Sequence, residues 1–205
     1  MKTILCMMIG YVIGSLSPAA LISKIKKQDI RKSGSGNLGT MNTMMNFGKR
    51  YAVPVMIIDM LKGFLAVKLA HWIVPAVSVA GVLAGGSAVL GHIFPFYMKF
   101  RGGKGLAPFG GMILALNPLG FLFLLLFGGF MMIVINYSFA MPFTAGILFP
   151  FMEWIRTQSA LAFTITAAIS ALIIVKHWSN MRKAMQKQDA KIRDYFKKYV
   201  MKKEE

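Results

Sequence analysis

From Gly105 to Met152 the chain carries no charged residue. A soluble domain cannot cover so long a run, because its surface needs charge spread along its elements. A bilayer solvates such a run, provided the backbone closes its hydrogen bonds within helices. Composition agrees: of 205 residues 56% are hydrophobic and 15% charged, with a mean hydropathy of +0.59. Seven candidate spans read at roughly 4–23, 52–70, 72–93, 105–116, 119–136, 138–155 and 159–176. The fourth is short for a hydrocarbon core of about 30 Å, and Asn117-Pro118 makes a break before the fifth. The first run ends in a basic cluster rather than a small-residue cleavage site, so it reads as a retained span. The expectation is an all-α, polytopic membrane protein forming one domain over residues 1–205.

The net charge of +17 does not point to nucleic acid. The basic residues lie in the gaps between apolar runs and not on one soluble face. One gap holds Lys24, Lys26, Lys27, Arg31, Lys32, Lys49 and Arg50; another holds Lys99, Arg101 and Lys104. The tail, about 177–205, is basic again. Threading seven spans alternately puts all three on one side, with Lys2, Lys68 and Arg156 opposite. The positive-inside rule then predicts an outside N-terminus and a cytoplasmic C-terminus. Along the tail, basic residues alternate with Ile192, Tyr195, Phe196 and Tyr199, as in a helix lying on anionic lipid. The single cysteine, Cys6, excludes a disulfide within the chain.

Two of the basic gaps are rich in glycine. The first reads Ser33-Gly34-Ser35-Gly36-Asn37-Leu38-Gly39-Thr40-Met41-Asn42. Its glycines let backbone approach a ligand, and Ser35, Asn37, Thr40 and Asn42 add polar side chains. A flexible polar connection would use the same residues. The second contains Gly91-His92 and then Gly102-Gly103-Lys104-Gly105 before an apolar helix. Free N–H groups, a helix N-terminus and a lysine at one place suit an anion. The spacing is not that of a Walker A loop. His92 is read either as a base or as a packed histidine.

Asp59 and Lys62 stand three apart inside an apolar span, so they share a helix face and are placed to pair. Gly63 beside them permits close helix approach. His177 and Asn180, also three apart, end the last span on one face. No cluster of His, Asp or Glu has metal-ligand spacing, so neither metal nor cofactor is expected.

These motifs together resemble the bacterial acyl-phosphate:glycerol-3-phosphate acyltransferases of the PlsY type, over nearly the whole chain. The matching residues are Gly34-Ser35-Gly36-Asn37, Gly39, Asn42 and Gly48-Lys49; Asp59 and Lys62-Gly63; Gly91-His92, Phe94-Pro95, Lys99-Phe100 and Arg101-Gly102-Gly103-Lys104-Gly105; and His177 with Asn180. The resemblance implies transfer of a fatty acyl group from acyl-phosphate to glycerol 3-phosphate at the cytoplasmic face of a bacterial cell membrane, by a monomer that needs no cofactor. It implies catalytic roles for Ser35, Lys104, His177 and Asn180. Phosphate binding would fall to Gly34, Gly36, Asn37, Gly39, Asn42, Lys49, Gly102, Gly103 and Gly105. Asp59, Lys62 and His92 would support the site. The chain departs from the pattern at Met45 and Trp178, where arginines are implied, at Pro108 for threonine, and at Lys187-Gln188 for Gly-Glu. Lys49 or Arg50 is then the substitute cation for the missing arginine. The rival readings are a divergent paralogue with another acceptor and a non-catalytic lipid-phosphate binder or transporter on the same scaffold.

Overall fold

A computed structural model describes residues 1–77, 79–189 and 191–194, and all regular structure among them is helical. The chain forms two compact units, Met1–Leu116 and the described residues from Asn117 onward. Lys2–Ile25, Ala80–Met98, Pro118–Ile135 and Ala160–Met185 are long and apolar enough to cross a membrane.

In the first unit the expected span 4–23 is two helices, α1 (Lys2–Ser15) and α2 (Pro18–Ile25). Ser17 accepts the Ala20 N–H at 3.2 Å and Pro18 opens the next turn, a local start signal inside an apolar run. The first polar gap folds in part as a short helix, α3 (Thr40–Phe47), bounded by Gly39 and Gly48. Helix α4 (Lys49–Ile73) follows and stops before Val74-Pro75, since a residue preceding proline is driven out of the α region. The expected span 72–93 therefore contracts to α5 (Ala80–Ile93). Helix α6 is Leu106–Leu116, about 16 Å of rise.

Small residues set the packing. A Cβ on Gly10 or Gly14 of α1 would overlap the Ala84 or Ala88 carbonyl of α5. Gly63 of α4 and Gly111 of α6 likewise sit against the Pro108 and Met60 carbonyls. Lipid gives apolar helices no hydrophobic reason to associate, so close backbone approach does that work.

The second unit holds α7 (Pro118–Ile135), α8 (Ala140–Thr157) and α9 (Ala160–Met185). Helix α7 buries Gly120, Leu124 and Gly128, one stripe at four-residue spacing, and exposes Leu119, Leu126, Phe130 and Ile133. Helix α9 runs nine residues beyond the expected end of the last span at 176, so the first part of the basic segment from 177 is helical. Its end is closed by Lys187 N–H on the Ala184 carbonyl and Gln188 N–H on the Lys183 carbonyl. That motif needs a left-handed residue, and Lys187 (φ 57°) supplies it. Of the tail residues expected on lipid, Ile192 is buried, its N–H bonded to the Asn136 carbonyl at 3.1 Å. Tyr195, Phe196 and Tyr199 lie outside the described residues.

Candidate functional site

The first glycine loop is ordered by its own side chains. Asp29 accepts the Arg31 N–H and forks with its guanidinium, both side-chain contacts at 2.9 Å. That hydrogen-bonded cation holds the Asp29 carboxyl down at about 2. Gly34 and Gly36 are left-handed (φ 60° and 69°), and a Cβ on Gly34 would strike Asn42 Oδ1. Asn42 is fully buried: its Oδ1 accepts the Ser35 N–H at 2.8 Å and its Nδ2 donates to the Ile30 carbonyl at 2.7 Å. Asn42, expected among the phosphate-binding residues, thus closes the loop. Asn46, which the sequence did not single out, extends the clamp: it accepts from Ser33 Oγ at 2.6 Å and donates to the Asn42 carbonyl at 2.8 Å. Ser35 is exposed and Asn37 half-buried. A groove of about 390 Å³ opens beside Lys24, Lys27, Asp29 and Arg31, and its lining includes neither Ser35 nor Lys104.

The second loop turns back on the helix that precedes it. Lys99 and Phe100 adopt left-handed conformations (φ 54° and 57°). The Gly102 N–H then meets the Ile93 carbonyl at 3.1 Å and the Gly103 N–H the His92 carbonyl at 3.0 Å. These bonds satisfy the open end of α5. They also engage two amides that the sequence assigned to phosphate. Gly105 (φ 86°), Leu106 and Ala107 stand at the start of α6, where no helical carbonyl precedes their N–H groups. Pro108 has no N–H to add. Lys104 is half-buried between two buried glycines at this mouth. A Cβ on Gly103 would collide with His92 Nε2 and lie 2.8 Å from the Leu38 carbonyl. The two loops therefore meet at Gly103.

Beneath them sits a buried polar cluster. Lys62 Nζ donates to the Gly14 carbonyl at 3.0 Å and the Leu16 carbonyl at 2.6 Å, and contacts His92 Nδ1 at 3.1 Å. Three acceptors take the three ammonium protons. Asp59 Oδ1 stands 2.7 Å from Nζ with no donor at hydrogen-bond geometry, so its attraction is chiefly Coulombic. The two carbonyls are orphans of the α1 break, and Tyr97 Oη takes a third, that of Ser15, at 2.8 Å. The expected Asp59–Lys62 pair thus does more than neutralise charge, since it stitches the broken first helix to α4 and α5.

Met45 lies half-buried on α3, while Lys49 and Arg50 are exposed in the first turn of α4. In the second unit His177 is buried on α9 and Asn180 half-buried three residues on. His177 Nδ1 is 2.8 Å from the Ile173 carbonyl, so Nδ1 carries the proton and the lone pair of the neutral ring is on Nε2. Trp178 stacks on Phe143, with ring centroids 6.2 Å apart.

Residues 4–187 match the profile of the glycerol-3-phosphate acyltransferase family. The chain belongs to that family. A glycerol-3-phosphate acyltransferase of Coxiella burnetii is 35% identical over 195 residues, covering 94% of this chain and 100% of the relative. The crystal structure of PlsY, an integral membrane glycerol 3-phosphate acyltransferase, in its glycerol 3-phosphate form has a TM-score of 0.86 at 29% identity, covering 93% of this chain and 96% of its own. The lysophosphatidic acid form of PlsY gives a TM-score of 0.84 at 28% identity, covering 93% and 95%. The match spans both glycine loops described above.

Proposed function

We propose that this chain moves a fatty acyl group from acyl-phosphate to glycerol 3-phosphate at the cytoplasmic face of a bacterial membrane. The observation that carries this reading is Lys104, set between two glycines at the start of α6 and backed by the first loop. An ammonium and a helix N-terminus aimed at one place stabilise a phosphate and the charge it gains on leaving. Ser35 and Asn37 add side-chain donors from the first loop. His177 and Asn180 orient the acceptor, a role the family resemblance supplies.

In the reaction the acceptor hydroxyl oxygen bonds to the acyl carbonyl carbon, and the bond from that carbon to the phosphate oxygen breaks. Phosphate leaves with the electron pair, and the hydroxyl proton passes to a base. The candidates are His177, His92 and a phosphate of the substrate itself. The donor, the monomeric state and the seven-crossing topology with an outside N-terminus belong to the same proposal, the topology by the charge rule.

Purified protein in lipid, given acyl-phosphate and glycerol 3-phosphate, is expected to release lysophosphatidic acid and phosphate in equal amounts, with no product from acyl-CoA. Absence of product at high enzyme and substrate would refute this activity. Met45 in place of an arginine favours one further reading, a different phosphorylated acceptor. A panel of phosphorylated alcohols tests it: a substrate preferred over glycerol 3-phosphate establishes the alternative.

A further inference from the structure

Among the groups that meet at Gly103, the Nε2 atom of His92 is unaccounted for. The His92 side chain is only 6% exposed. Its Nδ1 is 3.1 Å from Lys62 Nζ and 3.4 Å from Asp59 Oδ1. With the ammonium donating to Nδ1 the ring proton resides on Nε2, and a protonated ring with Nδ1–H turned to the carboxylate carries Nε2–H as well. Nε2 has no hydrogen-bond partner among the described residues, and it faces the space a Gly103 side chain would fill, beside the Leu38 carbonyl. An N–H with no acceptor in the protein is available to a ligand oxygen.

We propose that the His92 Nε2–H donates to an oxygen of the phosphate group bound between the two glycine loops, which makes His92 a binding residue. Lys62 positions it: by donating to Nδ1 it fixes the tautomer, and Asp59 holds Lys62 in place. Gly103 follows from the same arrangement, because any side chain there would cover Nε2. The inference rests on the phosphate-site reading above and adds to it a donor from α5.

The amide nitrogens of glutamine and asparagine separate the two ring positions. Glutamine restores a donor near Nε2, and asparagine restores a polar group near Nδ1. In the full chain in lipid, His92→Asn is expected to weaken binding of inorganic phosphate and of glycerol 3-phosphate by roughly tenfold or more, and His92→Gln by about threefold or less. Thermal stabilisation by each ligand is one readout and the KM for turnover another. A purely structural role toward Lys62 reverses the order, and Asn equal to or better than Gln overturns the proposal. The unmutated chain gives a second test, because it has three histidines and the His92→Gln spectrum assigns one of them. In ¹⁵N-histidine NMR the His92 Nε2–H resonance should move on addition of inorganic phosphate, glycerol 3-phosphate or acyl-phosphate, and the set that moves it identifies the ligand held there. No movement with any of the three overturns the proposal. Wild-type protein that shifts this resonance but forms no lysophosphatidic acid refutes the acyl-transfer reading and leaves the donor established.

Discussion

Asp59–Lys62 and Glu153–Arg156 are both acid–base pairs at three-residue spacing on a helix of this chain, and their surroundings set them apart. Glu153 is fully buried, and Arg156 grips it by a fork at 2.6 and 3.0 Å while remaining 42% exposed on its side chain. The hydrogen bonds of that pair run inward to each other. Lys62 and Asp59 are 4% and 2% exposed, and the ammonium bonds outward to the backbone of α1 and the ring of His92. Equal spacing therefore yields different structural weight. One pair neutralises a buried carboxylate at the end of a helix. The other joins three helices and contacts the side chain that lies against Gly103.

The largest expected effect separates the two directly. Lys62→Met strands Asp59 and removes the donor from two buried carbonyls. It should cost about 3–5 kcal/mol, as loss of one member of a buried pair does, read as a lowered unfolding midpoint in detergent. A loss below about 1 kcal/mol would rank it with dispensable surface pairs. Arg156→Met should cost less, about 1–2 kcal/mol, because the Arg156 side chain is 42% exposed and already shares its charge with solvent. Equal losses at Lys62 and Arg156 would erase the distinction. The smallest effect is expected from replacing both members of the second pair. Glu153→Leu with Arg156→Met should lie within about 1 kcal/mol of wild type, since no other side chain among the described residues bonds to theirs. A double variant as unstable as Arg156→Met alone would reveal a partner beyond the pair.

The membrane class was legible because a run without charge from 105 to 152 admits few other solvents. The Asp59–Lys62 pairing was legible from helix periodicity alone. The third member, His92, comes from another helix, and spacing within α4 carries no information about it. The α1–α2 break had a signal in Ser17-Pro18, which the surrounding apolar run outweighed. The spent amides of Gly102 and Gly103 had almost none. Their fold-back depends on left-handed Lys99 and Phe100, residue types that seldom adopt that conformation. For Asn42 the sequence shows the amide and not its direction. Only its burial and its two bonds, to Ser35 and Ile30, reveal that it holds the loop.

The central claim is that Lys104 and the start of α6 hold phosphate, while the neighbouring cations Lys99 and Arg101, both exposed, serve the membrane surface. It is tested most directly by turnover of the Lys104→Ala, Lys99→Ala and Arg101→Ala variants in one lipid system, with acyl-phosphate as donor and folding verified for each. Loss of one aimed cation in a low-dielectric site costs about 3 kcal/mol, so Lys104→Ala should fall by roughly a hundredfold or more. The other two should lose about tenfold or less, mainly through weaker attraction to substrate and lipid headgroups. Equal, mild losses at all three positions would mean that the loop only anchors the chain by its charge, and would contradict the phosphate site.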